Sequence, residues 1–221
     1  MGWCGIYVVY IWLPDKSLGT SSKECRGFFV FMVYSVIMTK LPDEKYDVIL
    51  MDPPWSYYGA QDKMGAAAKF YPTMSDEDLM AMDIKSVLNK PGVIFMWVTS
   101  PRLDFAIDLL RHWGYTYRGV AFTWVKTRKD GLTPIGAQGV RPSVVKPTTE
   151  FVIVASNVTK GRPLPLADEG VPHVVLAAKT EHSRKPDEIH RRIERLYPDA
   201  KKLEMFARRP MEGWDVWGNE V

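Results

Sequence analysis

Six short apolar runs decide what this chain can fold into: Val48–Met51, Val93–Val98, Val120–Val125, Phe151–Ala155, Val174–Ala178 and Leu203–Ala207. Each is bounded by turn residues, as buried strands are. Amphipathic segments lie between several of them. Ser75 opens a helix in which Ser-x-x-Asp78 approximates a capping box, and Leu79, Met82 and Val87 form one apolar stripe up to Asn89. Pro91-Gly92 reads as a turn. Pro101 starts a second helix with Leu103, Ala106, Ile107 and Leu110 on one face, and Gly114 ends it. Pro186 starts a third, with Asp187 and Glu188 in its first turn and Ile189, Ile193 and Leu196 inward. Leu203–Ala207 is read as the last strand, and Gly213–Val221 as a tail. Strands alternating with single helices predict an α/β sandwich on a largely parallel sheet, with helices on both faces.

With 221 residues, 46% hydrophobic and 25% charged, the chain can bury a core without staples, which excludes the disordered classes. Cys4 and Cys25 stand outside any CxxC or Cys/His cluster, favouring a reducing, cytoplasmic setting over a disulfide framework. The longest apolar run, Phe28–Met38, has eleven residues. A membrane-spanning helix needs about 20. Met1–Leu13 carries neither a basic leader nor a small-residue cleavage site, so it is not read as a signal peptide. Residues 1–40 show neither period and are set apart from a domain at 41–221; one account is that translation begins at Met38. His112, His173, His182 and His190 lack metal-ligand spacing and HExxH is absent, so no metal is expected. A net charge of +3 permits a nucleic-acid partner without demanding one.

Asp52-Pro53-Pro54-Trp55 is the motif that carries chemistry. Four specified residues recur by chance in a chain this long with a probability on the order of 0.1%. In an open α/β sheet ligands bind beyond the carboxyl ends of strands, where this motif lies. A residue before proline is pushed to the extended region, and neither proline has an N–H. The segment is therefore expected to offer a carboxylate and free carbonyls with no competing donor. Such a surface matches an amino group, which presents two hydrogens. Two acceptors gripping an exocyclic amine favour its pyramidal form and stabilise the positive charge it gains on methylation. Trp55 supplies a face on which a base can stack. A rigid turn with a core tryptophan is the plainer reading.

The motif after a hydrophobic strand resembles the amino-methyltransferases that use S-adenosylmethionine, and more closely the mRNA-adenosine methyltransferase-like (MT-A-seventy-like) family. The resemblance covers about residues 46–221 and rests on Asp52–Trp55, Tyr71–Leu79, Phe95–Thr99, Phe122–Thr127, Ser183–Ile189, and Leu203–Arg208 with Gly218-Asn219. It implies that Asp52 and Pro53 hold the adenine amine, with Asp52 also facing the methyl donor. Tyr71 then matches an aromatic residue on a loop closing over the base, and Lys185 a lysine reaching the donor's carboxylate. Glu204, Phe206 and Arg208 match the strand end around the donor's adenosine; Asn219, with Glu220 beside it, matches a further ribose or adenosine contact. The catalytic strand comes first and the cofactor strand last, a circularly permuted Rossmann-like order that accounts for the absence of a GxGxxG. An acidic residue that the family carries upstream has no counterpart in residues 1–45. Gly139–Glu150 also departs from the commoner form, which bears on substrate contacts.

The connection 127–149 is long, and such loops are usually functional. It and its flank carry Lys126, Arg128, Lys129, Arg141 and Lys146 against Asp130, a pattern that suits phosphates or simply solvates a flexible loop. Trp97 and Trp124 read as core, Trp124 leaning towards the substrate cleft. Glu150 either orients a base or pairs with a cation. Arg191, Arg192 and Arg195 read as a solvated helix face. The expected activity is transfer of a methyl group from S-adenosylmethionine to the N6 amine of adenine in nucleic acid. DNA is favoured over RNA because no RNA-binding appendage is evident. The alternatives are a non-catalytic nucleic-acid-binding subunit of a heterodimer, and a cytosine N4 methyltransferase; a homodimer is also open.

Overall fold

The computed structural model describes residues 5–14, 27–36, 40–56, 73–136, 144–180, 184–219 and 221. It divides into two units, Met1–Lys40 and Leu41–Val221. In the first, β1 (Gly5–Pro14) and β2 (Gly27–Val36) pair antiparallel from Gly5↔Val36 to Pro14↔Gly27. Neither period marks these segments, yet Val, Ile, Tyr and Phe dominate both, the residues that favour pleated structure.

The second unit is built on a seven-stranded sheet. Its strands are β3 (Tyr46–Met51), β4 (Leu88–Val98), β5 (Thr116–Thr127), β6 (Thr149–Ser156), β7 (Val174–Ala178), β8 (Lys202–Met205) and β9 (Asp215–Trp217). They lie in the order β7-β5-β6-β4-β3-β8-β9. All run parallel except β6, which is antiparallel to both β4 and β5. The helices are α1 (Asp76–Met80), α2 (Leu103–His112) and α3 (Glu188–Leu196). The first strand of this unit, β3, lies beside the late strand β8, as the permuted order implies. Among the described residues no helix is long and apolar enough to cross a membrane.

Strand period sets the two faces. Val48 and Leu50 of β3, Val93, Phe95 and Trp97 of β4, Phe122 and Trp124 of β5, Val152 of β6 and Val175 of β7 form one buried layer under Ile189, Ile193 and Tyr197. Their neighbours Ile49, Met51, Ile94, Met96, Ile153, Leu203 and Met205 turn to the opposite face and are fully buried, as are Leu79, Ala106, Leu109 and Leu110 of α1 and α2. Side chains past the strand ends inherit these directions, so Asp52 and Glu204 share the α3 face with Leu50.

Four expectations change. The helix read from Ser75 to Asn89 is only α1 followed by a 3-10 turn at Ile84–Ser86; the Ser75 hydroxyl caps it, accepting from Asp78 N at 3.0 Å. Pro91-Gly92 is no turn, because β4 runs through it; a side chain at Gly92 would lie 2.5 Å from the Asn89 carbonyl. The tail folds back as β9, too short a strand for periodicity to reveal. Arg192 is buried at 8% exposure, donating to Glu188 Oε1 at 3.0 Å and to the Val174 carbonyl at 2.9 Å, so it ties α3 to β7.

Candidate active site

Four charged side chains alternate in sign at the carboxyl end of the parallel strands. Lys185 Nζ lies 2.7 Å from Asp52 Oδ2 and 3.4 Å from Glu150 Oε2, and Lys126 Nζ lies 2.5 Å from Glu150 Oε1. Asp52 follows β3 and Lys126 is near the end of β5. Glu150 opens β6, whose reversed direction brings its start to the same edge. The side chains are 13–27% exposed, so the cluster is open to a ligand yet largely desolvated. Lys185 precedes α3, which begins only at Glu188, so it acts through its own charge and not as a helix-opening residue.

Burial raises the pKa of Asp52 above its ordinary 3.8. Lys185 pulls it back, the Glu150 charge raises it again, Arg208 lowers it, and the balance stays upward. Glu150 moves the other way: burial alone raises it, but Lys185 and Lys126 outweigh that and lower its pKa. Two carboxylates in one site are thus driven apart, the pattern that separates a proton acceptor from a fixed counter-ion.

The motif itself differs from the all-acceptor surface expected of it. Lys185 is a competing donor on Asp52. The Pro53 carbonyl accepts from Trp55 N at 2.8 Å, and the Pro54 carbonyl from Met74 N at 2.9 Å. Each carbonyl keeps a second lone pair. Trp55 is 4% exposed: its Nε1 donates to the Trp97 carbonyl at 3.2 Å and its ring stands edge-on to Phe105 at 6.2 Å. That is a packing role, locking the motif to the end of β4.

Beside β3, the register pairs Leu50 with Glu204 and Met51 with Met205. The carboxylate of Glu204 faces His190, with Oε2 2.9 Å from Nε2. Phe206 takes a φ of 62°, a left-handed turn that ends β8 and sets its ring against Trp217 at 5.4 Å. Ala207 N donates to the Trp217 carbonyl at 3.0 Å, and a side chain at Gly218 would lie 2.2 Å from the Ala207 carbonyl, so glycine is required by this close approach. Arg208 and Asn219 follow, both exposed.

Of the substrate-side candidates, Lys126 and Glu150 join the charged cluster. Trp124 lies beneath it at 3% exposure, its Nε1 donating to the Ala177 carbonyl at 2.9 Å. Arg128 and Lys129 are exposed on a built turn and not on a flexible loop: Arg128 N donates to the Thr133 carbonyl at 2.8 Å, and Asp130 accepts from the amides of Leu132 and Thr133 at 2.9 Å. The Thr133 hydroxyl and these amides hold the Asp130 carboxyl down to about 2. Tyr71, Arg141 and Glu220 lie outside the described residues. The sequence alone leaves Glu150 open between two roles and gives His190 no role beyond a histidine without metal-ligand spacing. The available signals are a carboxylate at the start of an apolar strand, and a histidine flanked by inward isoleucines.

A largely parallel sheet with helices packed on it, a carboxylate beyond one central strand and a kinked strand beside it define the Rossmann-like methyltransferase class. The model of the MT-A70 family matches residues 46–220. The chain is 31% identical over 204 residues to the type II methyltransferase M.MunI of a Mycoplasma species, covering 84% of this chain and 82% of that protein. It is 32% identical over 178 residues to the N(6)-adenosine-methyltransferase MT-A70-like protein of Arabidopsis thaliana, covering 80% of this chain and 24% of that one. It is 30% identical over 179 residues to the human N(6)-adenosine-methyltransferase catalytic subunit METTL3, covering 80% and 28%. The chain therefore spans most of the first relative and about a quarter of the other two. It belongs to the MT-A70 family of methyltransferases.

Proposed function

We propose that this protein methylates the exocyclic N6 amine of adenine in nucleic acid, with S-adenosylmethionine as methyl donor and DNA favoured over RNA. The observation that carries the reading is Asp52, a carboxylate of raised pKa held by Lys185 where β3 breaks at two prolines. The relatives named N(6)-adenosine-methyltransferases support the amine. The relative named a type II methyltransferase, of which the chain covers 82%, supports methyl transfer.

The residues present fit the donor. Lys185 offers a cation to a carboxylate, Glu204 and Asn219 an acceptor and an amide to ribose hydroxyls, and Phe206 with Arg208 a border for an adenine. When bound, that group supplies an electrophilic methyl carried on a sulfonium. Asp52 accepts a hydrogen bond from the substrate amine, and its charge opposes the positive charge that grows on nitrogen. The raised pKa makes it a better proton acceptor than an ordinary aspartate as the methylated amine sheds a proton. The second lone pair of the Pro53 carbonyl is the other acceptor for the amine. Glu150, fixed between Lys126 and Lys185, holds Lys185 at the junction of donor and substrate. A duplex adenine must be flipped out at a cost of a few kcal/mol, so single-stranded or distorted sites are favoured.

Incubation with labelled donor and mixed DNA and RNA, followed by nucleoside mass spectrometry, tests the reading. N6-methyladenine in DNA is the expected product. N4-methylcytosine would overturn the choice of base, N6-methyladenosine confined to RNA the choice of polymer. No product from a folded protein that binds S-adenosylhomocysteine would point to a non-catalytic subunit.

A further inference from the structure

We propose that His190 positions Glu204 for the donor's ribose, so that α3 sets both the affinity and the sugar selectivity of the donor site; this rests on the cofactor reading above. His190 is 5% exposed, and its Nε2 lies 2.9 Å from Glu204 Oε2. An ionised carboxylate only accepts, so Nε2 carries the hydrogen. That bond takes one carboxylate oxygen and leaves Oε1 to accept from a hydroxyl. Glu204 needs such a guide because a glutamate on a strand has three rotatable side-chain bonds. It also remains 20% exposed, at the open end of the sheet.

The imidazole is held in turn. Its ring meets the edge of Trp214 at 5.1 Å and 81°, and Trp214 Nε1 donates to Glu194 Oε1 at 2.8 Å. Among the described residues, His190 Nδ1 is buried without a partner. A position flanked by the buried Ile189 and Ile193 would pack an apolar residue with no orphaned nitrogen, so stability alone does not explain histidine here. Contact with Glu204 does. The segment 185–190 then grips the donor twice: Lys185 faces its carboxylate, and His190, through Glu204, its sugar. Preorganising an acceptor in this way improves binding by removing the cost of ordering it on contact.

Calorimetric titration with S-adenosylhomocysteine and its 2′-deoxy and 3′-deoxy forms tests this. Wild-type protein should bind the parent about tenfold tighter than at least one deoxy form, the worth of one hydrogen bond to a charged acceptor. His190→Phe should weaken the parent by about five- to tenfold and leave that deoxy form nearly unchanged, so the selectivity collapses. His190→Gln, which keeps an N–H donor, should restore part of it. Equal weakening of all three ligands, or selectivity retained in His190→Phe, overturns the proposal. Absence of ribose selectivity in the wild type, with parent binding intact, instead shows that Glu204 does not hold the sugar, and both readings fall. Should His190→Phe not fold, Gln against the shorter Asn at 190 carries the same comparison.

Discussion

One ammonium, Lys185 Nζ, is shared by two carboxylates from different strands, 2.7 Å from Asp52 Oδ2 and 3.4 Å from Glu150 Oε2. With Lys126 on the far side of Glu150, the cluster carries two cations against two carboxylates. On the proposed function, a donor carboxylate arriving at Lys185 would compete with Asp52 for the same charge. Donor binding and release of the Asp52 carboxylate towards the substrate amine would then be linked through one side chain.

Lys185→Ala should raise the dissociation constant of S-adenosylhomocysteine by about tenfold or more, corresponding to about 1.5–3 kcal/mol for a charge-assisted contact. Calorimetry on the folded variant measures it. Affinity equal to wild type would place the donor carboxylate elsewhere.

The pH profile should move in opposite directions for two neighbouring substitutions. Asp52 must be ionised to accept from the amine, so kcat/KM rises as pH passes its raised pKa. Lys185 lowers that pKa and Glu150 raises it. Lys185→Met should shift the acidic limb of the residual activity to higher pH, and Glu150→Gln should shift it to lower pH. Movement of both in one direction would contradict the assignment. Glu150 itself has a lowered pKa, so its stabilising contribution is full above the ordinary 4.5 and is lost as pH falls through the lowered value. The stability gap between wild type and Glu150→Gln, read from urea unfolding, should narrow on acidification.

Much of this was legible in the sequence because buried strands announce themselves. Each of the six apolar runs contains a strand, and Val174–Ala178 coincides with β7, although Leu203–Ala207 stops being one at Met205. The failures have local physical causes. α1 stops at Met80 although Met82 and Val87 continue the apolar stripe of Leu79, and both are buried around a 3-10 turn at Ile84–Ser86 instead of on a helix. The three residues of β9 are too few to carry a period, and only pairing with β8 identifies them. Asp52 was found from its prolines, but its partner Lys185 lies 133 residues away and no local pattern joins them. Arg192 was read as solvated because a helix face shows charge, not the carbonyls of Pro172 and Val174 that wait beside it.

The basic residues that follow β5 in the sequence give a separable test. Neutralising Arg128, Lys129 and Arg141 together should weaken nucleic-acid binding about equally across sequences and flatten its salt dependence, with donor affinity unchanged. Lys126 is excluded from the set because it is paired with Glu150. An unchanged salt slope would make these residues ordinary solvated charges.

Gly218→Ala should damage the β8–β9 end of the sheet from within. The added carbon would stand 2.2 Å from the Ala207 carbonyl and 2.9 Å from its nitrogen, so backbone must move. Overpacking of this kind costs about 1–3 kcal/mol. A fall in Tm of about 2–4 °C per kcal/mol should accompany weaker S-adenosylhomocysteine binding as Asn219 is displaced. Wild-type stability and affinity together would show that the β8–β9 approach is slack.

On the proposed function, the Asp52 carboxylate is the acceptor that makes the amine reactive. The most direct test is the single-turnover rate of methyl transfer by Asp52→Asn, measured at saturating donor and nucleic acid on protein whose circular dichroism matches wild type. The amide keeps the shape but loses the charge and can present a donor where the amine needs an acceptor. The rate should fall by about 10²–10³. A folded Asp52→Asn protein that transfers methyl groups at near the wild-type rate would contradict the account.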